Sequence, residues 1–171
     1  LKYDVLPTDV LCYLIGLPEG RLLKWASDGY VKPYKPGRTR KPHRFSVRQC
    51  IALGIIAALS DSPRHDGVTA GYIRKTVAFF QRITDSQLMS WMQEGQGDST
   101  PHTAESFASI DFAGFKLAHA EAPGDRELKA DIKQRLGRLE SLLLGRPMPK
   151  HPITRIPDMP KLPEAEAYEV R

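Results

Sequence analysis

The chain has 171 residues, of which 41% are hydrophobic and 26% charged, with a formal net charge of +5. That length and balance suit one domain with an appendage, or two small domains. No apolar run approaches the roughly 20 residues that a membrane-spanning helix needs, and two cysteines exclude a disulfide scaffold and fit a reducing, cytoplasmic setting.

In chain order, Thr8 is a candidate N-cap for a short helix over Asp9–Leu14, which Ile15-Gly16-Leu17 breaks. Pro18 opens a second helix, Glu19 complements its positive start, Leu22, Leu23 and Trp25 supply apolar surface, and Gly29 ends it. Two short helices around a glycine turn make a helix-turn-helix pattern. Tyr30–Tyr34 and His43–Phe45 read as two short strands around a basic turn, with Pro36-Gly37 as turn chemistry. Ser46-Val47-Arg48-Gln49 is a capping box. The helix it starts is apolar nearly all round (Cys50, Ile51, Leu53, Ile55, Ile56, Ala57, Leu59), the mark of a buried helix. After a polar loop over 60–67, Thr69 caps a helix with Ile73, Val77 and Phe80 on one face. Thr84–Gln87 is a second capping box before Leu88, Met89, Trp91 and Met92, closed by Gly95. Residues 95–104 form a polar loop, and 105–119 are either two short strands or an irregular packing segment. From Asp125 to Leu144 the pattern is helical, stopped by Gly145 and Pro147. The last 25 residues hold six prolines, which predicts an extended or disordered tail.

The charge is unevenly divided. Residues 1–82 carry 14 Lys and Arg against 6 Asp and Glu, whereas residues 83–171 carry 11 against 14. Lys32, Lys35, Arg38, Arg40, Lys41 and Arg44 fall within 13 positions, with His43 among them. Like charges crowded into one turn repel unless a polyanion neutralises them, so the hairpin is a candidate phosphate grip. The second helix would lie in a major groove, which is wide enough to admit it. The candidate DNA-binding residues are Arg21 and Lys24 on that helix and Tyr34, Lys35, Arg38, Arg40, Lys41, His43 and Arg44 on the hairpin. The plainer alternatives are a solvated helix face for Arg21 and Lys24, packing for Tyr34 and core for Trp25.

Gly16-Leu17-Pro18, Leu22, Asp28-Gly29-Tyr30-Val31-Lys32-Pro33 and His43-Arg44-Phe45-Ser46, followed by Leu53, Ile56 and Leu59 and by Gly67-Val68-Thr69-Ala70, resemble the DNA-binding domain of MerR-type regulators over about residues 4–82. The resemblance implies a winged helix-turn-helix, double-stranded DNA as partner and RNA polymerase as a further contact. In this chain Leu23-Lys24-Trp25 stands where the family's second helix has an arginine followed by aromatics, and His43 stands where an arginine is usual. Phage excisionases and terminase small subunits carry similar winged domains.

Leu128, Ile132, Arg135, Leu139 and Leu142 follow alternating steps of four and three, widened by Leu136 and Leu143. Such a stripe serves a short coiled coil or a helix packed on its own domain. The resemblance implies the first, a homodimer paired through Leu128, Ile132, Leu136, Leu139, Leu142 and Leu143, with a palindromic operator. Cys12 and Cys50 sit on apolar helical segments and read as core. The five histidines show no ligand spacing, and neither a nucleophile triad nor a phosphate-binding glycine loop is present. No catalytic residue, metal or cofactor is therefore expected.

The expected architecture is mainly α. A winged helix-turn-helix occupies 4–82, a connecting helix and small irregular or β segment 83–123, a dimerisation helix 124–145 and a Pro-rich tail 146–171. The expected function is a sequence-specific, double-stranded DNA-binding transcriptional regulator. The rivals are a phage-type excisionase or terminase-small-subunit-like factor, and a protein-interaction adaptor that has lost DNA.

Overall fold

A computed structural model of the chain describes residues 3–61, 68–86 and 125–146. Its elements are β1 (Val5–Pro7), α1 (Thr8–Ile15), α2 (Glu19–Ser27), β2 (Arg44–Ser46), α3 (Val47–Asp61), α4 (Ala70–Gln81) and α5 (Asp125–Leu143). The described part is mainly helical, with one two-stranded antiparallel sheet in which Val5, Leu6 and Pro7 face Ser46, Phe45 and Arg44.

The sequence of α3 dictates where it sits. Val47 and every residue from Gln49 to Leu59 are buried. A helix with apolar residues at every angle needs neighbours on every side, and α1, α4, α5 and the sheet surround it. Gly54 lets α5 come close: a Cβ there would lie 2.9 Å from Leu136 Cδ2. The capping box forms as expected. The Ser46 amide donates to Gln49 Oε1 at 3.0 Å, and the Gln49 amide donates to Ser46 Oγ at 3.3 Å. Thr69 caps α4 by accepting from the Tyr72 amide at 3.2 Å, and Ile73, Val77 and Phe80 form the buried face of α4.

Three expectations are corrected. First, the sheet does not join the two arms of the basic segment. Residues 30–34 form no strand, and β2 pairs with the N-terminal β1. Second, Thr8 is not the N-cap of α1. Pro7 holds that position, and Thr8 lies inside the helix with its amide and Oγ1 both donating to the His43 carbonyl at 3.0 Å. Third, the apolar stripe of α5 is spent inside one copy of the chain. Ile132, Leu136, Leu139, Leu142 and Leu143 are 0–8% exposed in a helix packed against α1 and α3, so they are not available to pair protomers. Burying such side chains stabilises by roughly 1.5–3 kcal/mol each, and α1 and α3 leave apolar faces that need the cover. The Leu128 side chain lies outside the described residues, as do the expected helix over 88–92, the 105–119 segment and the tail beyond 146.

Arg135, the polar interruption in that stripe, has its own task. Its Nη1 donates to the carbonyls of Ile15 (2.6 Å) and Gly16 (3.4 Å), Nη2 meets Asp61 Oδ2 (2.9 Å), and Nε meets Asp131 Oδ1 (2.9 Å). Arg138 Nε donates to the Leu14 carbonyl at 2.7 Å. The last carbonyls of a helix lack intrahelical partners and carry the negative end of its dipole; two guanidinium groups satisfy them at the end of α1. Burial works against the charge on Arg135, but Asp131 and Asp61 outweigh it and hold its pKa above the ordinary arginine value. Burial and the neighbouring Arg135 hold Arg138 below it.

Both described cysteines are buried free thiols. Burial, with Glu19 and Asp9 adding to it, pushes the Cys12 pKa up to about 12, and burial pushes Cys50 in the same direction. A thiol raised in the folded state stabilises fully below its unfolded pKa and loses that contribution as pH rises toward the folded value. Unfolding midpoints are therefore expected to hold up to about pH 9 and fall between pH 9 and 12. A thiol-specific chromogenic reagent at pH 8 is expected to label neither cysteine until the chain is unfolded; rapid labelling in buffer would contradict the buried placement.

Candidate nucleic-acid interface

The basic segment folds back on itself as a hairpin over 35–44. Lys35 and Arg44 exchange both backbone hydrogen bonds (3.1 and 2.9 Å), and Arg38 and Lys41 do the same at the tip (3.1 and 2.8 Å). The reversal therefore falls at Thr39-Arg40, not at Pro36-Gly37. Arg40 sits there at φ 70°, the one non-glycine residue with positive φ among the described residues. Gly37 serves a different end. A Cβ on it would lie 2.5 Å from the Lys41 carbonyl oxygen, 2.8 Å from the His43 amide nitrogen and 2.9 Å from the Pro42 carbonyl carbon. Its missing side chain lets the two arms cross closely.

Two buried polar side chains root the hairpin in the core. Gln49, in the first turn of α3 and 2% exposed, donates from Nε2 to the Lys32 carbonyl at 2.6 Å and so fixes the incoming arm. Thr8, 1% exposed, holds the outgoing arm through the His43 carbonyl. On the incoming side, the amides of Tyr30 and Val31 donate to the Trp25 carbonyl, which joins this arm to the end of α2. Each buried group is thus paired, as burial of polar atoms demands.

Of the candidate residues on the hairpin, Arg38, Arg40 and Lys41 are exposed, as is Lys32 before it; Lys35 and Arg44 are half-buried, and Tyr34 is 58% exposed. Among the described residues Lys32, Arg38 and Arg40 have no carboxylate partner. Lys24 is exposed on α2 and pairs with Asp28 one turn on, at 3.1 Å, a contact of small net worth at a solvated surface.

Arg21 and His43 are placed differently from the expectation. Arg21 Nη1 lies 3.1 Å from Ser60 Oγ and 3.3 Å from Asp61 Oδ1 at the end of α3, so it is drawn toward the carboxylate that also holds Arg135. His43 accepts the Gly37 amide on Nδ1 at 2.7 Å, which braces the hairpin from within and turns that nitrogen inward. With Leu22 and Trp25 buried, α2 presents Glu19, Gly20, Leu23, Lys24 and Ser27 to solvent.

The residues that position the charges are Thr8, Gln49 and Gly37, which the sequence alone reads only as an N-cap, part of a capping box and part of a turn. For Gln49 a signal existed in the capping box, which placed it at the start of α3 beside the hairpin. For Thr8 and Gly37 the partners are distant in sequence or in backbone geometry that composition does not encode.

No helix among the described residues is long and apolar enough to cross a membrane, and no three described His, Cys, Asp or Glu side chains group so as to hold a metal ion. Comparison with protein-family models, curated proteins and solved structures finds no match to the chain.

Proposed function

We propose that the chain binds double-stranded DNA as a transcriptional regulator of MerR type. In this reading α1 and α2 form the helix-turn-helix, the 35–44 hairpin is the wing that grips phosphates, and the outward face of α2 enters a groove. One observation carries it. Arg38 and Arg40 on the hairpin, and Lys32 on the arm that leads into it, stand exposed with no carboxylate partner among the described residues, and both arms are held by buried side chains. Flexible surface lysines keep any protein in solution. Cations held close together by core anchors repel one another within a Debye length of about 8–10 Å, and a phosphate backbone relieves that repulsion while releasing its own counterions.

The test is a fluorescence anisotropy titration of a labelled duplex across salt. Log affinity should fall linearly with log salt, and Arg38, Arg40 and Lys41 changed together to alanine should lower the slope by about one unit per lost phosphate contact. Salt-insensitive or undetectable duplex binding would refute the proposal.

A second reading is favoured by a specific contact. With Arg21 engaged by Asp61, Lys24 is the one cation on the outward face of α2. That leaves little for bidentate readout of base edges and suits an architectural factor of the phage excisionase or terminase-small-subunit kind, which holds DNA by backbone and shape. Selection from random duplexes separates the two: a sharp consensus supports the regulator, and none supports the architectural factor. A palindromic consensus would mean that two copies bind together, through a surface other than the apolar stripe of α5.

A further inference from the structure

We infer that the phosphate-binding surface continues from the hairpin onto α4 and the residue that caps it, where Arg74 and Arg82 form a second row of backbone contacts. This rests on the duplex-binding reading above and names where else that duplex touches the chain.

The rotation of α4 is fixed by its buried residues Ile73, Thr76, Val77 and Phe80. At 100° per residue the opposite face carries Gly71, Arg74, Lys75, Ala78, Gln81 and Arg82, all exposed except the half-buried Ala78. That face presents Arg74 and, at the C-cap, Arg82, and α4 contains no Asp or Glu. The first carboxylate that follows, Asp85, is held by Arg48 of α3. Arg74 also ties this face to the segment that leads from α2 into the hairpin. Its guanidinium carbon lies 5.3 Å from the centroid of the Tyr30 ring, and Tyr30 is bonded through its amide to the end of α2 at Trp25. Arg74 thus stands beside the junction from which the basic hairpin departs. From Arg74 to Arg82 is eight residues, or about 12 Å of helix, a length that runs past several phosphates of a duplex strand.

The chemistry favours a nucleic-acid backbone over a lipid surface. An interfacial helix needs large apolar side chains beside its cations. The exposed large hydrophobic residues among those described are Leu23 and Tyr34, and neither is on α4.

The test uses the full chain, labelled duplex and the same salt titration. Arg74→Ala/Arg82→Ala is expected to lower the salt slope by close to two units, and Arg82→Ala alone, which leaves the Arg74–Tyr30 contact intact, by close to one. Adding Arg38→Ala/Arg40→Ala should lower it further by the same amount as in the otherwise unaltered chain. Should the double α4 variant fail to fold, Arg82→Ala decides. If the hairpin variant loses slope while both α4 variants retain the full value, the inference fails and the duplex reading stands. If the unaltered chain binds no duplex, the reading itself fails and the inference with it. If phosphatidylserine vesicles bind the chain through Arg74 and Arg82 while duplex affinity is untouched by their loss, α4 is a lipid-binding face and the inference is overturned.

Discussion

Arg135→Ala is expected to lower the unfolding free energy by about 3 kcal/mol, more than any other single charge removal among the described residues. The side chain is buried and gathers two backbone carbonyls and two carboxylates from three elements. Removing one partner from a buried ion pair costs about 3–5 kcal/mol when the other is left stranded. Here Asp61 and Asp131 are 38% and 37% exposed and regain water, which reduces the penalty. The Ile15 and Gly16 carbonyls at the end of α1 do not regain it so readily, and hydrogen bonds to charged groups contribute about 1.5–3 kcal/mol each. In a chain of this size the change corresponds to a fall in midpoint of roughly 6–12 °C. Arg138→Ala, which loses one carbonyl bond, should cost about half as much. Arg21→Ala, which breaks an exposed pair, should stay within about 0.5 kcal/mol. Thermal and urea unfolding of the three variants gives the order; equal losses for Arg135 and Arg21 would show that the end of α1 is not held in this way.

The same cluster shows where sequence reading stops. Local patterns were legible. Ser46 and Gln49 make the reciprocal bonds that their spacing predicts, Thr69 caps α4, and the all-round apolar character of residues 50–59 placed α3 at the centre. What failed was non-local. A stripe at steps of four and three reads alike whether its partner is a second copy or the chain's own α1 and α3, and only the fold decides between them. Arg21 meets a carboxylate 40 residues away, and nothing in α2 announces it. β1 is three residues long and ends in proline, too short for alternation to register, so the hydroxyl of Thr8 reads in sequence as a cap for the helix next to it, whereas it serves a carbonyl 35 residues on. In the candidate site, the cluster of cations was visible as composition. Their fixation by Thr8, Gln49 and Gly37 was not, because it depends on which backbone atoms the fold brings together.

That fixation leads to the second large effect. Gly37→Ala is expected to weaken duplex binding at least about tenfold, or about 1.4 kcal/mol, while removing no charge. The added methyl would meet three backbone atoms of the opposite arm at 2.5–2.9 Å. Backbone cannot step aside as the end of a side chain can, so the arms must part. Parting them breaks the Gly37–His43 bond and releases Arg38, Arg40 and Lys41 from their paired tip. Freed cations still attract a polyanion, but each must then be ordered on binding, at about 0.5–1.5 kcal/mol for every long side chain immobilised. The global fold should hardly notice, because the hairpin tip lies outside the core and Thr8 and Gln49 still hold its roots; the unfolding midpoint should shift by less than about 1 kcal/mol equivalent. Gly137→Ala is the matched control. A Cβ there meets nothing within 4 Å, so alanine in the middle of α5 should stabilise by roughly 0.5–1 kcal/mol and leave binding unchanged. Anisotropy and thermal unfolding on both variants separate the alternatives: binding that survives Gly37→Ala intact would mean that charge alone holds the duplex and the hairpin's shape contributes nothing.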